Sequence, residues 1–293
     1  MCHDLDLSSE PGIVVRQFTQ ASDAAAQVTG CCYQPQLQYK VSRIPAGKRA
    51  ATDQEYGTPG RFAPSAEELA ALPQMFHVQE ESVVWVRMLL ALCGGLNLRP
   101  MHMHWCMHPT RAGTSDAYTV ERPCRCGGHL CCPLEMSVYA RHRPEAQQLV
   151  GRVEEDFSPY PMRCTQQACL CTTYHKVLAM DADRFALTHK YSLRTGMACC
   201  GRVNNCCGST CFRHDLISDI LDSNGKVVAH VQRTYAPSAG PGCLGACCRC
   251  AFEFSNFVMQ FPEDATEDDR ALLLAALFNL ELQMWERRGG EHS

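Results

Sequence analysis

The chain has 293 residues, which is enough for one large or two ordinary domains. Its formal net charge of −4 gives no overall basic footprint, so a nucleic-acid partner is not expected. The first six residues contain neither a basic region nor an apolar stretch, so no secretory signal is predicted, and the 21 cysteines are expected in a reducing compartment.

Residues 1–73 are predicted to form an irregular N-terminal arm. Prolines and turn sequences such as residues 56–60 interrupt this part of the chain, and its hydrophobic pattern is weak. Within the arm, residues 37–42 favour a short strand. Ser65 and Glu68 have the spacing of a capping box, which predicts a short helix after Ser65.

Residues 74–293 are predicted to form a strand-rich domain that ends in a helix. Residues 82–92 are rich in Val, Leu and Trp and fit either a helix or a strand. From about residue 96 onward, short strands are separated by turn sequences that contain Gly, Pro or Asp-Ser-Asn-Gly. Residues 217–228 are typical of a β-hairpin built around one of these turns.

Residues 101–108 alternate strictly between apolar and polar side chains. A strand with this pattern would place Met and Trp side chains on one face and His102, His104, Cys106 and His108 on the other. The His-Cys face is a candidate copper or zinc site. Ligands two residues apart on one strand lie in a row and do not close a tetrahedron unaided, so a barrel strand with a polar outer face is favoured.

The cysteines occur in clusters, for which zinc is the first hypothesis to test. Zinc ribbons use repeated C-x2-C pairs, whereas adjacent cysteines and C-x-C pairs dominate here. Adjacent residues on a strand point to opposite faces, so one such pair rarely supplies two ligands. The alternatives to a zinc or iron–sulfur site are S-acylated cysteines and buried thiols.

The C-terminal strand and helix are the most informative part of the chain. Residues 252–261 alternate as a strand does, and a helix is predicted over residues 266–287, with Thr266 as its N-cap. Residues 271–278 are all apolar. A helix that is apolar on all sides is buried in protein or lipid, and this one is shorter than the ~20 apolar residues of a membrane span. We therefore expect a closed β-barrel to enclose it. The predicted core residues of the helix are Leu272, Leu273, Leu274, Leu277 and Phe278.

Two internal repeats connect the strands. Residues 150–157 match residues 228–235 in the order Val, small, any, Val, three polar residues, aromatic. Residues 120–136 match residues 231–254 in the order strand, cysteine cluster, strand. Repetition of strand and cysteine order predicts a barrel built from two related halves.

Four segments carry a resemblance to a known family. Residues 120–126 (Val-Glu-Arg-Pro-Cys-Arg-Cys) are similar to that family's E-R-P-x-R-C segment, and Cys131 and Cys132 fall where its members carry S-acylated cysteines. The two strands of the first repeat match its paired strands that end in an aromatic residue. Residues 256–262, followed by an acidic turn and the apolar helix, match its N-F-G-I-x-F-P signature. On these residues the chain resembles, over residues 76–287, the phospholipid scramblases, which are similar to tubby C-terminal domains.

The resemblance implies a mostly β fold, a closed antiparallel barrel of about twelve strands around the C-terminal helix. It implies attachment to the cytosolic face of the plasma membrane, with membrane phospholipids as the partner. It also implies calcium-stimulated, energy-independent movement of phospholipids between leaflets, which is transport and not enzymatic catalysis. Catalytic fingerprints such as a P-loop or a dinucleotide motif are absent from the sequence. The S-acylation candidates are Cys124, Cys126, Cys131 and Cys132.

The calcium candidates carried over from the family are Glu253, Ser255, Asn256 and Asp264. The family pattern has an Asp-x-Asp pair before Asn-Phe, whereas this chain has Glu253 and Ser255 at those positions. Calcium takes about six to eight oxygen ligands, and a strand would turn Asn256 away from the other two. We therefore expect weak or absent calcium binding.

Two other functions are compatible with the same residues. One is a tubby-like adaptor that docks at membranes and signals without moving lipid. The other is an intracellular metal-binding protein that uses the Cys and His clusters.

Overall fold

The computed structural model describes residues 7–18, 36–52, 62, 64–83, 85–86, 89, 100–106, 116–124, 133–143, 146–158, 172–181, 183–196, 216–234 and 256–284. Twelve antiparallel strands form one closed barrel, in which each strand pairs with the next along the chain and β1 pairs with β12. The strands are β1 (Gly12–Phe18), β2 (Gln38–Arg43), β3 (Gln74–Glu81), β4 (Met101–Cys106), β5 (Asp116–Arg122), β6 (Glu135–Arg143), β7 (Ala146–Glu155), β8 (Thr173–Asp181), β9 (Ala186–Thr195), β10 (Leu216–Asp222), β11 (Val227–Thr234) and β12 (Asn256–Gln260). The predicted fold class is confirmed.

The C-terminal helix α2 (Glu267–Met284) lies inside the barrel. Its 18 residues rise about 27 Å, and every side chain from Ala271 to Phe278 is at most 1% exposed. The ring of Phe278 packs against Tyr39 of β2 and Trp105 of β4, with ring centroids 4.7 and 6.3 Å away. An all-apolar helix is stable in water only when it is enclosed in this way. The predicted core residues Leu272, Leu273, Leu274, Leu277 and Phe278 are confirmed.

Gly151 of β7 allows the helix to approach the barrel wall closely. A Cβ atom at this position would lie 2.9 Å from the Leu272 side chain and 2.2 Å from the carbonyl oxygen of Leu178. Both distances are too short for real atoms, and the carbonyl belongs to the backbone of the neighbouring strand. The small residue in the repeated strand pattern therefore has a packing role here.

A short helix, α1 (Ala66–Ala71), covers part of the outer wall. The predicted capping box is confirmed, because the Glu68 amide donates to the Ser65 hydroxyl and the Ser65 amide donates to the Glu68 carboxylate. Leu69 packs with Val14 of β1 and Val258 of β12 in a second apolar cluster outside the barrel. Parts of β1 and β12 are therefore buried on both faces.

The N-terminal arm predicted over residues 1–73 requires correction, because this part of the chain supplies two barrel strands. The strand predicted at residues 37–42 is confirmed as β2, but β1 was not predicted. Ile13 and Val15 face the interior, whereas Val14 is buried outside under α1, so the apolar residues run on without alternating. β1 closes the ring by pairing with β2 on one side and β12 on the other.

Three further predictions, for residues 217–228, 82–92 and 266–287, can be compared with the structure. The hairpin predicted over residues 217–228 is confirmed as β10 and β11. Its turn is held by the Asp222 carboxylate, which accepts hydrogen bonds from the amides of Asn224 and Lys226. Within residues 82–92, the described residues Trp85, Val86 and Leu89 have helical backbone. The helix predicted at residues 266–287 matches α2, and residues 285–287 lie outside the described residues.

The two sequence repeats relate different strands of the barrel. Residues 120–136 and 231–254 begin on β5 and β11, which are six strands apart, as two equal halves of a twelve-stranded ring require. Residues 150–157 and 228–235 begin on β7 and β11, which are four strands apart. Residues 75–80 on β3, another four strands away, carry a similar pattern of apolar pair, base, Val and two polar residues.

The same arrangement of hydrogen bonds occurs at the ends of β3 and β7, which are four strands apart, and this supports the repeat between them. The Glu80 carboxylate accepts from the Leu37 amide at 2.9 Å, and its own amide donates to the Leu37 carbonyl. In the same way, the Glu155 carboxylate accepts from the Leu134 amide at 2.8 Å, and the Glu155 amide donates to the Leu134 carbonyl. Each glutamate thus fixes the residue that leads into the preceding strand.

Candidate functional site

The barrel has two rims with different chain connections. β12 ends and α2 begins at one rim, which we call the helix-start rim, and we call the opposite rim the far rim. Because neighbouring strands are antiparallel, all odd-numbered strands start at the helix-start rim and end at the far rim. The connections β1–β2, β3–β4, β5–β6, β7–β8, β9–β10 and β11–β12 therefore all join strands at the far rim.

The cysteine clusters lie in chain segments that join strands at the far rim. Its six connections hold two, one, four, three, five and four cysteines in chain order, which is nineteen of the 21 in the chain. The strand-to-strand connections of the helix-start rim hold none, and the remaining two are Cys2 and Cys106. The sequence shows the clusters, but the strand order is needed to see that all of them are tethered to one end of the barrel.

Of the four S-acylation candidates, Cys124 is described. It follows β5 at the far rim, its side chain is exposed, and its thiol is free. Cys126, Cys131 and Cys132 lie outside the described residues, in the β5–β6 connection between Cys124 and Pro133. An exposed thiol at a strand end is sterically open to an acylating enzyme, whereas the other described cysteine, Cys106, is buried.

Charged side chains are buried at the far rim. Arg122 ends β5, Glu155 ends β7, Arg233 lies near the end of β11, and Glu281 lies near the end of α2, each less than 5% exposed. Buried charges are tolerated only where other groups compensate them. The barrel interior is therefore apolar along the middle of α2 and polar toward the far rim.

Polar contacts hold α2 at the helix-start rim. The Lys190 ammonium of β9 lies 2.6 Å from the Asp269 carboxylate, and the Tyr118 hydroxyl of β5 donates to Asp268 at 3.0 Å. Asp269 also accepts from the amide and the hydroxyl of Thr266. Burial raises the pKa of Tyr118, and the negative charges of Asp268 and Glu267 raise it further, so this phenol stays protonated. These carboxylates serve to cap and anchor the helix.

The His-Cys row on β4 takes the favoured barrel-strand form. Met101, Met103 and Trp105 point into the core, and His102 and His104 point outward as predicted. Cys106 is buried and not on an open ligand face, and the register shift beside it leaves one extra residue, Ala117, on the neighbouring strand β5. His108 lies outside the described residues.

Carboxylates on the neighbouring strands partner the two outward histidines. The Nε2 atom of His104 lies 3.0 Å from Glu81, and the Nδ1 atom of His102 lies 3.8 Å from Glu121. Among the described residues, no group of three His, Cys, Asp or Glu side chains is arranged to hold a metal ion. The described part of the row thus forms separate pairs.

The calcium candidates are not brought together in the described part of the chain. Asn256 begins β12 at the far rim, where it is 2% exposed, whereas Asp264 follows β12 at the helix-start rim and is exposed. The strand between them spans about 13 Å, which is far more than one ion can bridge. Glu253 and Ser255 lie outside the described residues. A shared calcium site that includes both Asn256 and Asp264 is therefore wrong.

A small cationic pocket lies on the outer wall between α1 and strands β1 to β3. Its volume is about 80 Å³, and Arg16, Lys40, Ser42, Leu69 and Leu72 are among its lining residues. Arg16 and Lys40 stand directly opposite each other in the β1–β2 ladder. Two cations in this position repel each other, so an anion placed between them would be attracted. The pocket has the chemistry to receive one phosphate-sized group.

Comparison with family models, with curated proteins and with solved structures gave no match. Membership of the scramblase family therefore stays a prediction from the sequence resemblance. In the part of the chain that the structure describes, none of the helices combines the length and the apolar character that a bilayer crossing demands.

Proposed function

We propose that this chain is a membrane-associated, scramblase-like protein that moves phospholipids between bilayer leaflets in both directions without an energy source. The observation that carries the proposal is the closed twelve-stranded barrel around a buried apolar C-terminal helix, the architecture that the sequence resemblance implied. Since α2 fills the interior, lipid has no path through the barrel and would have to move along its outer surface. We therefore propose that lipid moves at the contact between barrel and bilayer.

The cysteines in the far-rim connections support a defined orientation of the barrel at the membrane. Acyl chains on the far-rim connections would turn that rim toward the membrane, and two chains give the stable attachment that one does not. Arg16 and Lys40 lie on the half of their strands nearer this rim, where a lipid phosphate could reach their pocket. The helix-start rim would then face the cytosol.

The lipid-moving activity is tested with purified protein in vesicles that carry fluorescent phospholipids. We expect exchange between leaflets above the protein-free rate without nucleotide, and little difference between calcium and chelator, because the acidic pair of the family pattern is missing. Exchange at the background rate in both conditions would contradict the proposal.

The anchor is tested by changing Cys131 and Cys132 together to Ser. We expect the double variant to move from the membrane fraction to the soluble fraction, because fewer acyl chains hold it at the bilayer. Cys106→Ser is the matched control, since that thiol is buried and should not be acylated. The double variant could instead stay in the membrane fraction while acyl exchange still detects acyl chains on it. This result would contradict the anchor at Cys131 and Cys132 and assign it to other cysteines.

A membrane-docking adaptor is the second candidate, and the filled barrel interior favours it. A barrel without a lumen offers a surface for docking more readily than a route for lipid. The vesicle experiment separates the two functions. Protein that binds vesicles and leaves leaflet exchange at background would be an adaptor.

Metal binding is the third candidate, favoured by the tethering of nineteen cysteines to one rim. Thiolates from different connections could supply ligands that no single connection provides. Elemental analysis of the purified protein decides this point. Stoichiometric zinc, copper or iron would support a metal centre, and its absence would leave the membrane functions.

A further inference from the structure

Exposed apolar side chains are concentrated directly after β3. Among the described residues, Val83, Trp85 and Leu89 are 56%, 66% and 52% exposed. The two other exposed large apolar side chains among the described residues are Phe185, in the β8–β9 connection, and Val227, the first residue of β11, and both lie at the helix-start rim. Within the described residues, the exposed large apolar side chains at the far rim therefore belong to one segment.

The described residues Trp85, Val86 and Leu89 of this segment have helical backbone. Residues four apart share one face of a helix, which is the spacing of Trp85 and Leu89. The sequence of residues 83–92 contains Arg87 as its only polar residue. Ten residues are too few to cross a bilayer, but they are enough to lie in its interface.

We propose that Val83, Trp85 and Leu89 form an insertion patch, which enters the interfacial region of a phospholipid bilayer and holds the far rim against it. The inference rests on the proposed membrane function and adds a contact that does not depend on acylation. Tryptophan suits this position because its ring is apolar while its N–H remains able to bond to water or headgroups.

A lipid surface is the occupant that the location favours. The patch lies at the rim whose connections carry the candidate anchors, so acyl chains and patch would meet the same surface. Arg87 is placed in sequence between Trp85 and Leu89, and a long basic side chain at an interface can reach an anionic headgroup. The fold leaves these apolar side chains exposed to water. Insertion into the bilayer would bury them, and this burial would stabilise the membrane-bound state.

The test uses unacylated full-length protein and vesicles of phosphatidylcholine and phosphatidylserine, with a brominated phosphatidylcholine as quencher. Trp285→Phe provides the common background, and Trp105 is fully buried inside the barrel, so quenching then reports on Trp85. Trp85→Ala with Leu89→Ala removes the patch. Phe185→Ala is the matched control, because Phe185 is 89% exposed at the opposite rim.

We expect brominated lipid to quench Trp85 and the double variant to bind vesicles at least about tenfold more weakly, while Phe185→Ala binds like the background protein. Equal vesicle binding by the double variant, or an absence of quenching, would overturn the inference. A change in oligomeric state on gel filtration with unchanged vesicle binding would assign the patch to a second copy of the chain. Leaflet exchange by acylated protein is measured separately, so a failed patch and a failed scramblase function give different results.

Discussion

The side chain of Asn279 is the clearest local imperfection of the barrel core. It is fully buried on α2, and neither its oxygen nor its nitrogen has a hydrogen-bond partner in the described structure. A buried polar group without a partner costs about 1–3 kcal/mol. We therefore predict that Asn279→Leu raises the free energy of unfolding by about that amount, as measured by urea denaturation. Leu277→Asn should lower it, because it adds an unsatisfied amide and removes apolar burial. A loss of stability in Asn279→Leu would mean that the amide has a partner or that the larger side chain overpacks the site.

His77 gives the fold a pH-dependent component. Burial lowers the pKa of His77 to about 4, and the positive charge of Lys40 on the neighbouring strand contributes. The unfolded chain binds a proton at this histidine below about pH 6.5, whereas the folded chain does so only near pH 4. Stability is therefore fully present above pH 6.5 and falls as the pH drops from 6.5 to 4.

The corresponding prediction concerns His77→Gln. Between pH 6.5 and 4, the free energy of unfolding of this variant should fall by up to about 3 kcal/mol less than that of the unchanged protein. His102→Gln is the control, because that side chain is exposed on the outer face. Denaturant titrations at several pH values measure both, and an unchanged slope in His77→Gln would show that other groups cause the acid sensitivity. Asp219 and Asp156, whose pKa values are lowered overall despite burial, act only at lower pH.

At the scale of elements, the contact between β7 and α2 depends on a missing side chain. The Cβ of Gly151→Ala would collide with the Leu178 carbonyl and the Leu272 methyl groups, so strand and helix would have to separate. We predict a loss of about 1–3 kcal/mol in the free energy of unfolding. Gly196→Ala is the control, because its nearest foreign atom would be 3.9 Å away, and it should change stability little. If Gly151→Ala lowered the free energy of unfolding as little as Gly196→Ala does, β7 would be able to shift without a cost in stability.

The elements that the sequence predicted correctly are those whose residue pattern reflects a single kind of surroundings. Helix α2 is apolar over residues 271–278 because every side of this stretch is buried in the core, and the turn of the β10–β11 hairpin is held by a local residue, Asp222. Strand β1 escaped prediction because Val14 is buried under α1 on the face that should be polar. The grouping of the cysteine clusters at the far rim was not predicted either, because it follows from the antiparallel strand order and not from any spacing along the chain. Trp85 and Leu89 could be found only once their exposure was known.

At the scale of the whole molecule, closure depends on the first two strands. A chain that lacks β1 would have eleven strands, and β2 and β12 would then meet as parallel neighbours, which the antiparallel ring cannot accept. A chain that starts at residue 74 would restore an even number, but ten strands enclose a narrower space than the one that α2 occupies.

We therefore predict that neither truncated chain holds α2 in the barrel. Both should unfold without a cooperative transition and bind a hydrophobic dye, because the apolar helix and two unpaired strand edges are exposed. A chain that starts at Leu7 is the control, since it keeps β1 and the Leu7 carbonyl that accepts a hydrogen bond from the Arg270 guanidinium. Circular dichroism melts and dye fluorescence compare the three chains. If the chain from residue 74 melted cooperatively and excluded the dye, residues 12–18 and 38–43 would be an addition to a barrel that closes without them, and the role of β1 and β2 in enclosing the helix would be wrong.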